Sequence, residues 1–363
     1  MHATARHRAR GLATASLTTL ALAVVALGGA PTASAAAAQG LGVSTLSAVD
    51  GEQQRAAVDF WTPERIAAAQ PAGPGDVTAT GVAGPVERAA TTGAPAPAAP
   101  GVSTLAAGDA PTLVRGARQA AGVVTGGAVS QSTSWTQASP ATAKVGRLYF
   151  SRANPATGRA ELFECSASSV QSANESVLVT AGHCLTQDGT PSQNVVFIPG
   201  LNGTAQPYGT WSAQTTFATA QWTTGDQQSA AALNYDVGFV VLARKGGQTL
   251  SDTVGSFGIG FDAPLDRVTV FGYPAASGNV LKYCTGYRFS DPADTTDQGT
   301  MCTMSGGSSG GPWISALDAA TGTGTVTSVV SFSYDEAPDV LYGPLFGGVV
   351  KAEYDKAQAV VVG

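Results

Sequence analysis

The run Gly307-Ser308-Ser309-Gly310-Gly311-Pro312-Trp313 sets a serine among glycines, and two unlike architectures offer such a serine a place. In one, Gly-x-Ser-x-Gly forms a strand-to-helix elbow and the base histidine follows the serine in the chain. In the other, the serine sits in a loop between strands, with the histidine and aspartate before it. The chain has three histidines, His2, His7 and His183, and none follows Ser309. His2 and His7 stand in the first ten residues, which leaves His183, in Thr180-Ala181-Gly182-His183-Cys184. Between it and Ser309, Asp236 opens the apolar run Tyr235-Asp236-Val237-Gly238-Phe239-Val240-Val241-Leu242. The order His, Asp, Ser rejects the elbow and selects the strand-rich alternative.

Hydrolysis of an amide by serine needs a base for the hydroxyl proton, a buried carboxylate to fix the base's tautomer, and backbone N–H donors for the oxyanion. His183 is the available base. Asp236, at the mouth of an apolar strand, is a carboxylate that burial would force to find a strong partner. Ser309 is the expected nucleophile, with Ser308 as the adjacent alternative. The N–H groups of Gly307 and Ser309 are the expected oxyanion donors, because Gly307 and Gly310 free the backbone for a tight loop. Each segment also has an ordinary reading: a structural histidine, a turn aspartate, a Gly/Ser surface loop. Their coincidence carries the catalytic one.

From about Ser130, short runs rich in Val, Ile, Phe, Tyr and Thr alternate with Gly, Asn, Asp and Pro turns. Strands are expected at 147–150, 177–180, 195–198, 237–242, 268–272 and 326–332, which is the texture of an all-β sandwich or barrels. Helical periodicity comes only at 349–359, where Val350, Tyr354 and Gln358 share one side. Residues 131–363 suffice for two small barrels of about a hundred residues each, the first over about 140–250 and the second over about 255–350. Residues 36–130 are dominated by Ala, Gly, Pro, Thr and Val, without cysteine. Within them Thr62 can cap a helix with Pro63 at its first position and Glu64 in its first turn, with Phe60, Trp61 and Ile66 as an apolar face. From Pro71 to about Pro111 the composition predicts a flexible linker. The whole reads as a pro-segment or a passive spacer, with Arg115 and Arg118 as candidate processing points.

The first 35 residues predict a secretory signal peptide: Arg6, Arg8 and Arg10, a short apolar stretch at 17–27, then Ala33-Ser34-Ala35. A secreted, extracellular protein follows. Four cysteines, all beyond residue 160, fit an oxidising compartment and allow three pairings. Nearest-neighbour pairing gives Cys165–Cys184 and Cys284–Cys302, each worth about 3 kcal/mol by loop entropy. A zinc site wants several Cys and His ligands together, and His183 stands alone, so no metal and no cofactor is expected. Asp291, Asp294 and Asp297 read as an acidic surface loop, with a calcium site as the alternative. The sequons at Asn174 and Asn202 are expected to be idle. A net charge of −6 argues against nucleic acid or an anionic membrane as partner, and a monomer acting on protein or peptide is expected.

Taken together, Thr-Ala-Gly-His-Cys, Tyr-Asp-Val-Gly and Gly-Ser-Ser-Gly-Gly-Pro resemble the triad motifs of the chymotrypsin-like serine endopeptidases. The resemblance is closest to their secreted bacterial branch related to glutamyl endopeptidases. Phe271-Gly272-Tyr273-Pro274 and Leu341-Tyr342-Gly343-Pro344 resemble segments of that branch, and the likeness covers roughly 140–350. It implies two six-stranded antiparallel β-barrels with the active site between them, His183 and Asp236 on the first and Ser309 on the second. It implies that Cys165–Cys184 ties the histidine loop and that Ser331 bonds the triad aspartate. The implied primary pocket has Thr303 at its base and Ser331, Phe332 and Ser333 on one wall.

Two departures from the family's pattern matter. Position 308 is Ser where animal members carry an aspartate that pairs with a newly cut N-terminus, so that ion pair is unavailable. No spare histidine stands beside Ser331 to recognise glutamate, and Thr303 offers no charge to Arg or Lys; a neutral or polar pocket is expected. The competing functions are a catalytically silent binding protein on the same fold and a serine esterase.

Overall fold

A computed structural model describes residues 45–73, 113–114, 129–293 and 295–363. The expected leader at 1–35 and most of the expected linker lie outside them. Among the described residues no helix is long and apolar enough to cross a membrane.

Six strands make a closed barrel: β3 (Val145–Ala153), β4 (Ala160–Val170), β5 (Val177–Thr180), β6 (Gln193–Pro199), β7 (Trp211–Ala218) and β8 (Gly238–Leu242). Their neighbour order is β7-β6-β3-β4-β5-β8, and β7 pairs with β8 to close the ring. All these pairings are antiparallel. Leu148, Phe150, Val179, Phe197, Phe239 and Val241 belong to its buried core. Strands β5 and β8 read as unbroken apolar runs instead of alternating, because both their faces are covered. The closing helix α3 (Gly348–Gln358) packs outside β8, with the rings of Tyr354 and Phe239 5.8 Å apart. Val350 and Tyr354 are buried as the periodicity predicts, while Gln358 stays half-buried.

The second half is more open than the expected six-stranded ring. Strands β9 (Arg267–Gly272), β10 (Lys282–Tyr287), β12 (Pro312–Asp318) and β13 (Thr323–Val329) form the middle of a six-stranded sheet. Its two ends are the short strands Gly258–Ile259 and Thr133–Ser134. Strand Gly258–Ile259 runs parallel to β13, against the expectation of antiparallel pairing throughout. A separate three-stranded sheet holds Phe289–Ser290, β11 (Gln298–Met301) and β14 (Val340–Gly343). The edge strands are too short to close a ring, so a disulfide from β10 to the residue after β11, Cys284–Cys302, links the two sheets. Buried Val129 and Ser130 extend the folded body two residues ahead of the boundary expected at 131.

Residues 45–73 are folded onto the first barrel. Strand β1 (Thr45–Ala48) pairs with β7. Helix α1 (Gly51–Phe60) starts at Asp50, whose carboxylate accepts from the Gln53 N–H while the Gln53 side chain accepts from the Asp50 N–H, a reciprocal cap. Helix α2 (Pro63–Ala68) has Thr62 at its N-cap and Pro63 first, as expected. Trp61 packs against the barrel's Tyr149, ring centres 5.3 Å apart, and donates its indole N–H to Asn194 O at 2.6 Å.

Candidate active site

The histidine loop begins where β5 ends. Thr180 closes the strand, and His183 lies in a short 3-10 turn, Gly182–Cys184. Cys165 of β4 is bonded to Cys184, which ties the turn to the barrel wall. Arg152, buried, donates to the His183 carbonyl and to Gln187 Oε1 and Ser192 Oγ. Burial pushes its guanidinium down to about 10, against the pull of Asp188 and Asp236.

Asp236 sits two residues before β8 and is fully buried. Oδ2 lies 2.7 Å from His183 Nδ1, and Oδ1 accepts the His183 backbone N–H, also at 2.7 Å. A carboxylate only accepts, so Nδ1 carries the imidazole proton and Nε2 keeps its lone pair. Ser331 Oγ donates to Asp236 Oδ2 at 2.5 Å, the contact that the resemblance implies. His183 Nε2 is buried with no hydrogen-bond partner among the described residues.

Ser309 lies in the loop before β12, held in place through its own backbone: its carbonyl accepts the Ser166 N–H at 2.7 Å. Gly310 has φ +78, and a Cβ there would meet Thr180 Oγ1 at 2.0 Å and Ser166 O at 2.3 Å. Only glycine fits between the Ser309 loop and the strand that leads to His183. The side chain of Ser309 does not bond His183. Its hydroxyl donates to Ala72 O at 3.3 Å.

Ala72 therefore stands in the cleft, in the segment read from sequence as the start of a flexible linker. Strand β2 (Gln70–Pro71) runs parallel to β4 beside Phe163 and Glu164. Ala72 N–H donates to Glu164 O at 3.1 Å, and Ala72 is almost fully buried. No hydrogen bond joins Ala72 O to the N–H of Gly307 or Ser309.

The residues expected to line a primary pocket are mostly engaged. Thr303 Oγ1 accepts the Ser132 N–H at 2.9 Å, and Ser333 Oγ donates to Val340 O at 2.7 Å. Phe332 stacks on Tyr342, ring centres 5.3 Å apart. Asp291 and Asp297 are buried, not part of a solvated loop; Asp294 lies outside the described residues. Asp291 Oδ2 accepts from Tyr334 Oη at 2.6 Å and Thr295 Oγ1 at 2.5 Å. Both Asp297 oxygens lack partners among the described residues, and burial first, then the charges of Asp291 and Asp236, raises its carboxyl well above the usual range.

Sequence reasoning missed the groups behind the loop. Buried Arg147 and Ser166 both donate to Gly307 O, and buried Glu164 pairs with Arg147. A single arginine in a strand and a serine beside a cysteine carry no local signature.

Comparison with family profiles finds no match. Among solved structures, the protease Anisep of Arthrobacter nicotinovorans is 34% identical, covered in full by 63% of this chain, with a TM-score of 0.55. The thermostable serine protease AL20 of an extremophilic microorganism is 32% identical over 61% of this chain and 99% of its own, with a TM-score of 0.53. The glutamyl endopeptidase of Bacillus licheniformis is 32% identical over 102 residues, 27% of this chain and 29% of that relative. The match thus spans under a third of the curated relative's length. With near-complete coverage of two solved proteases on a barrel of this topology, the chain belongs to the chymotrypsin-like serine protease family.

Proposed function

We propose that this protein is a secreted serine endopeptidase that cleaves protein or peptide substrates through His183, Asp236 and Ser309, and that residues 70–72 keep it latent. The observation that carries the reading is the fully buried Asp236, which accepts from His183 Nδ1 at 2.7 Å and Ser331 Oγ at 2.5 Å. A carboxylate so placed fixes the imidazole tautomer and stabilises the imidazolium that forms when Nε2 takes the proton of Ser309. Ser309 Oγ then attacks the substrate carbonyl, the N–H groups of Gly307 and Ser309 receive the oxyanion, and the imidazolium protonates the leaving amine. Water repeats the cycle on the acyl-enzyme. Thr303, Ser331, Phe332 and Ser333 remain the proposed pocket. The six-stranded and three-stranded sheets of the second half, joined by Cys284–Cys302, are read as its second barrel. The leader and the two disulfides support secretion.

Latency follows from what Ser309 touches. Its hydroxyl proton goes to Ala72 O instead of His183, and the hydroxyl faces a carbonyl oxygen, not a carbonyl carbon. The test is intact mass of the secreted protein before and after a fluorophosphonate, with Ser309→Ala as control. One adduct on the processed form, absent in the variant, is expected, with peptidase activity of the variant lower by several orders of magnitude. A processed protein that takes no adduct, or a variant that keeps activity within about tenfold, would overturn the reading.

A further inference from the structure

We propose that Arg147 and Ser166, both on the first barrel, are positioning residues that hold the Gly306–Ser309 loop in its oxyanion-binding form. The inference rests on the serine endopeptidase reading and names what organises that site in this chain. The need for such a device is written in position 308. Ser308 carries no charge, and its hydroxyl donates back to Ser305 O at 2.6 Å, so an ion pair at 308 cannot set the loop. Yet Gly306 and Gly307 are adjacent glycines, the residues with the most backbone freedom to lose, and the Gly307 N–H must be aimed.

All four carbonyls of the loop are pinned instead, Ser308 O by the Gly311 N–H at 2.8 Å. Gly306 O accepts the Ala275 N–H at 2.9 Å. In a trans peptide the N–H points opposite to the C=O, so this bond turns the Gly307 N–H away from Ala275. Gly307 O accepts from Ser166 Oγ at 2.9 Å and Arg147 Nη1 at 3.3 Å. Ser309 O accepts the Ser166 N–H at 2.7 Å. Ser166 therefore holds the carbonyls of both residues whose N–H groups would receive the oxyanion. Gly307 has φ +92, and a Cβ there would meet Arg147 Nη1, Ala275 N and Tyr273 O, each at 2.9 Å. The guanidinium is packed against the glycine as well as bonded to it.

Arg147 is itself locked. It is 1% exposed, donates to Tyr273 O, to Pro274 O at 3.4 Å and to Asn279 Oδ1 at 3.0 Å, and pairs with Glu164 Oε1 at 3.1 Å. It reaches from β3 to carbonyls of the second half, so the clamp spans the two parts of the site. A planar fork of five donors suits several carbonyls at once, which an ammonium cannot match. Ser166 is fixed in turn, since its Oγ accepts the Tyr273 N–H at 2.9 Å and its carbonyl accepts from Thr180 Oγ1 at 2.9 Å.

The experiment compares wild type, Ser166→Ala and Arg147→Lys, each expressed as the full chain, purified in the processed form and counted by fluorophosphonate titration. Rates are taken on a peptide amide, and inhibition is measured with a peptide aldehyde and with the matching non-covalent peptide. Losing one oxyanion donor costs about 10²–10³ in kcat, and a displaced donor costs less. We therefore expect kcat per titrated site to fall about tenfold to a hundredfold, with KM within about threefold. Aldehyde affinity should fall in step with kcat/KM, while the non-covalent peptide binds unchanged. Ser166→Ala is the milder change and decides the matter if Arg147→Lys does not fold. A fall only in the titratable fraction or in Tm, with kcat per site within about twofold, would reduce the pair to structural residues and overturn the inference. Failure of the wild type to react would sink the endopeptidase reading instead.

Discussion

Asp297 is a carboxyl group enclosed by protein with no partner for either oxygen among the described residues, and folding raises its pKa. The folded chain thus binds this proton more tightly than the unfolded chain. Its contribution to stability is full below the usual carboxylate value near 4 and is lost as pH climbs toward the raised folded value. Asp297→Asn removes the ionisation with little change of shape. We expect the variant to melt about 3 °C or more above wild type at pH 8 and the gap to close near pH 4; a constant gap across that range would refute the assignment. At this scale the proposed catalytic residues can be picked out of the sequence because each sits in its own short motif: His183 beside Cys184, Asp236 ahead of an apolar strand, Ser309 between glycines. The clamp was not legible. Arg147 and Ser166 stand 160 and 141 positions before Gly307 in the chain and meet it only on folding, and nothing local marks them.

Among the elements, the docked segment 45–73 depends on Trp61, whose indole is buried against Tyr149 and bonded to Asn194. Truncating a buried tryptophan costs about 3–5 kcal/mol, so Trp61→Ala should loosen β2 from the cleft. The unprocessed variant should take the fluorophosphonate at least about tenfold faster than the unprocessed wild type. Equal rates would show that β2 is not the barrier. The sequence made helix α2 readable through Thr62 and Pro63, yet it hid α1, whose only buried residue is Ala57. A helix held by its cap and flanking contacts lacks an apolar stripe to announce it. Pro71–Gly73 looked like linker because composition records the lack of a core, and the one residue of the three that is buried, Ala72, is buried against another element.

For the whole molecule, the strand pattern gave four of the six wall strands of the first barrel, β3, β5, β6 and β8, each around a compact apolar run, and missed β4 and β7, where Ser, Thr, Gln and Glu break the run. The openness of the second half was not legible, because Gly258–Ile259, Thr133–Ser134 and Phe289–Ser290 are two-residue strands fixed by their partners. The Cys284–Cys302 bond, 18 residues apart in sequence, is the covalent link between those sheets. Replacing both cysteines with alanine should cost about 3 kcal/mol, a fall in Tm of roughly 6–12 °C, read by calorimetry at pH 7; an unchanged Tm would count against that role. Strand β1 has a less obvious effect. It covers β7 at Thr215–Phe217, with the Val49 N–H on Gln214 O at 2.9 Å. Departure of residues 45–73 would bare that stretch of backbone, a ready template for a foreign strand. Release of the enzyme would therefore also create a sticky seam along β7, and self-association of the matured protein would be contained by how short that seam is.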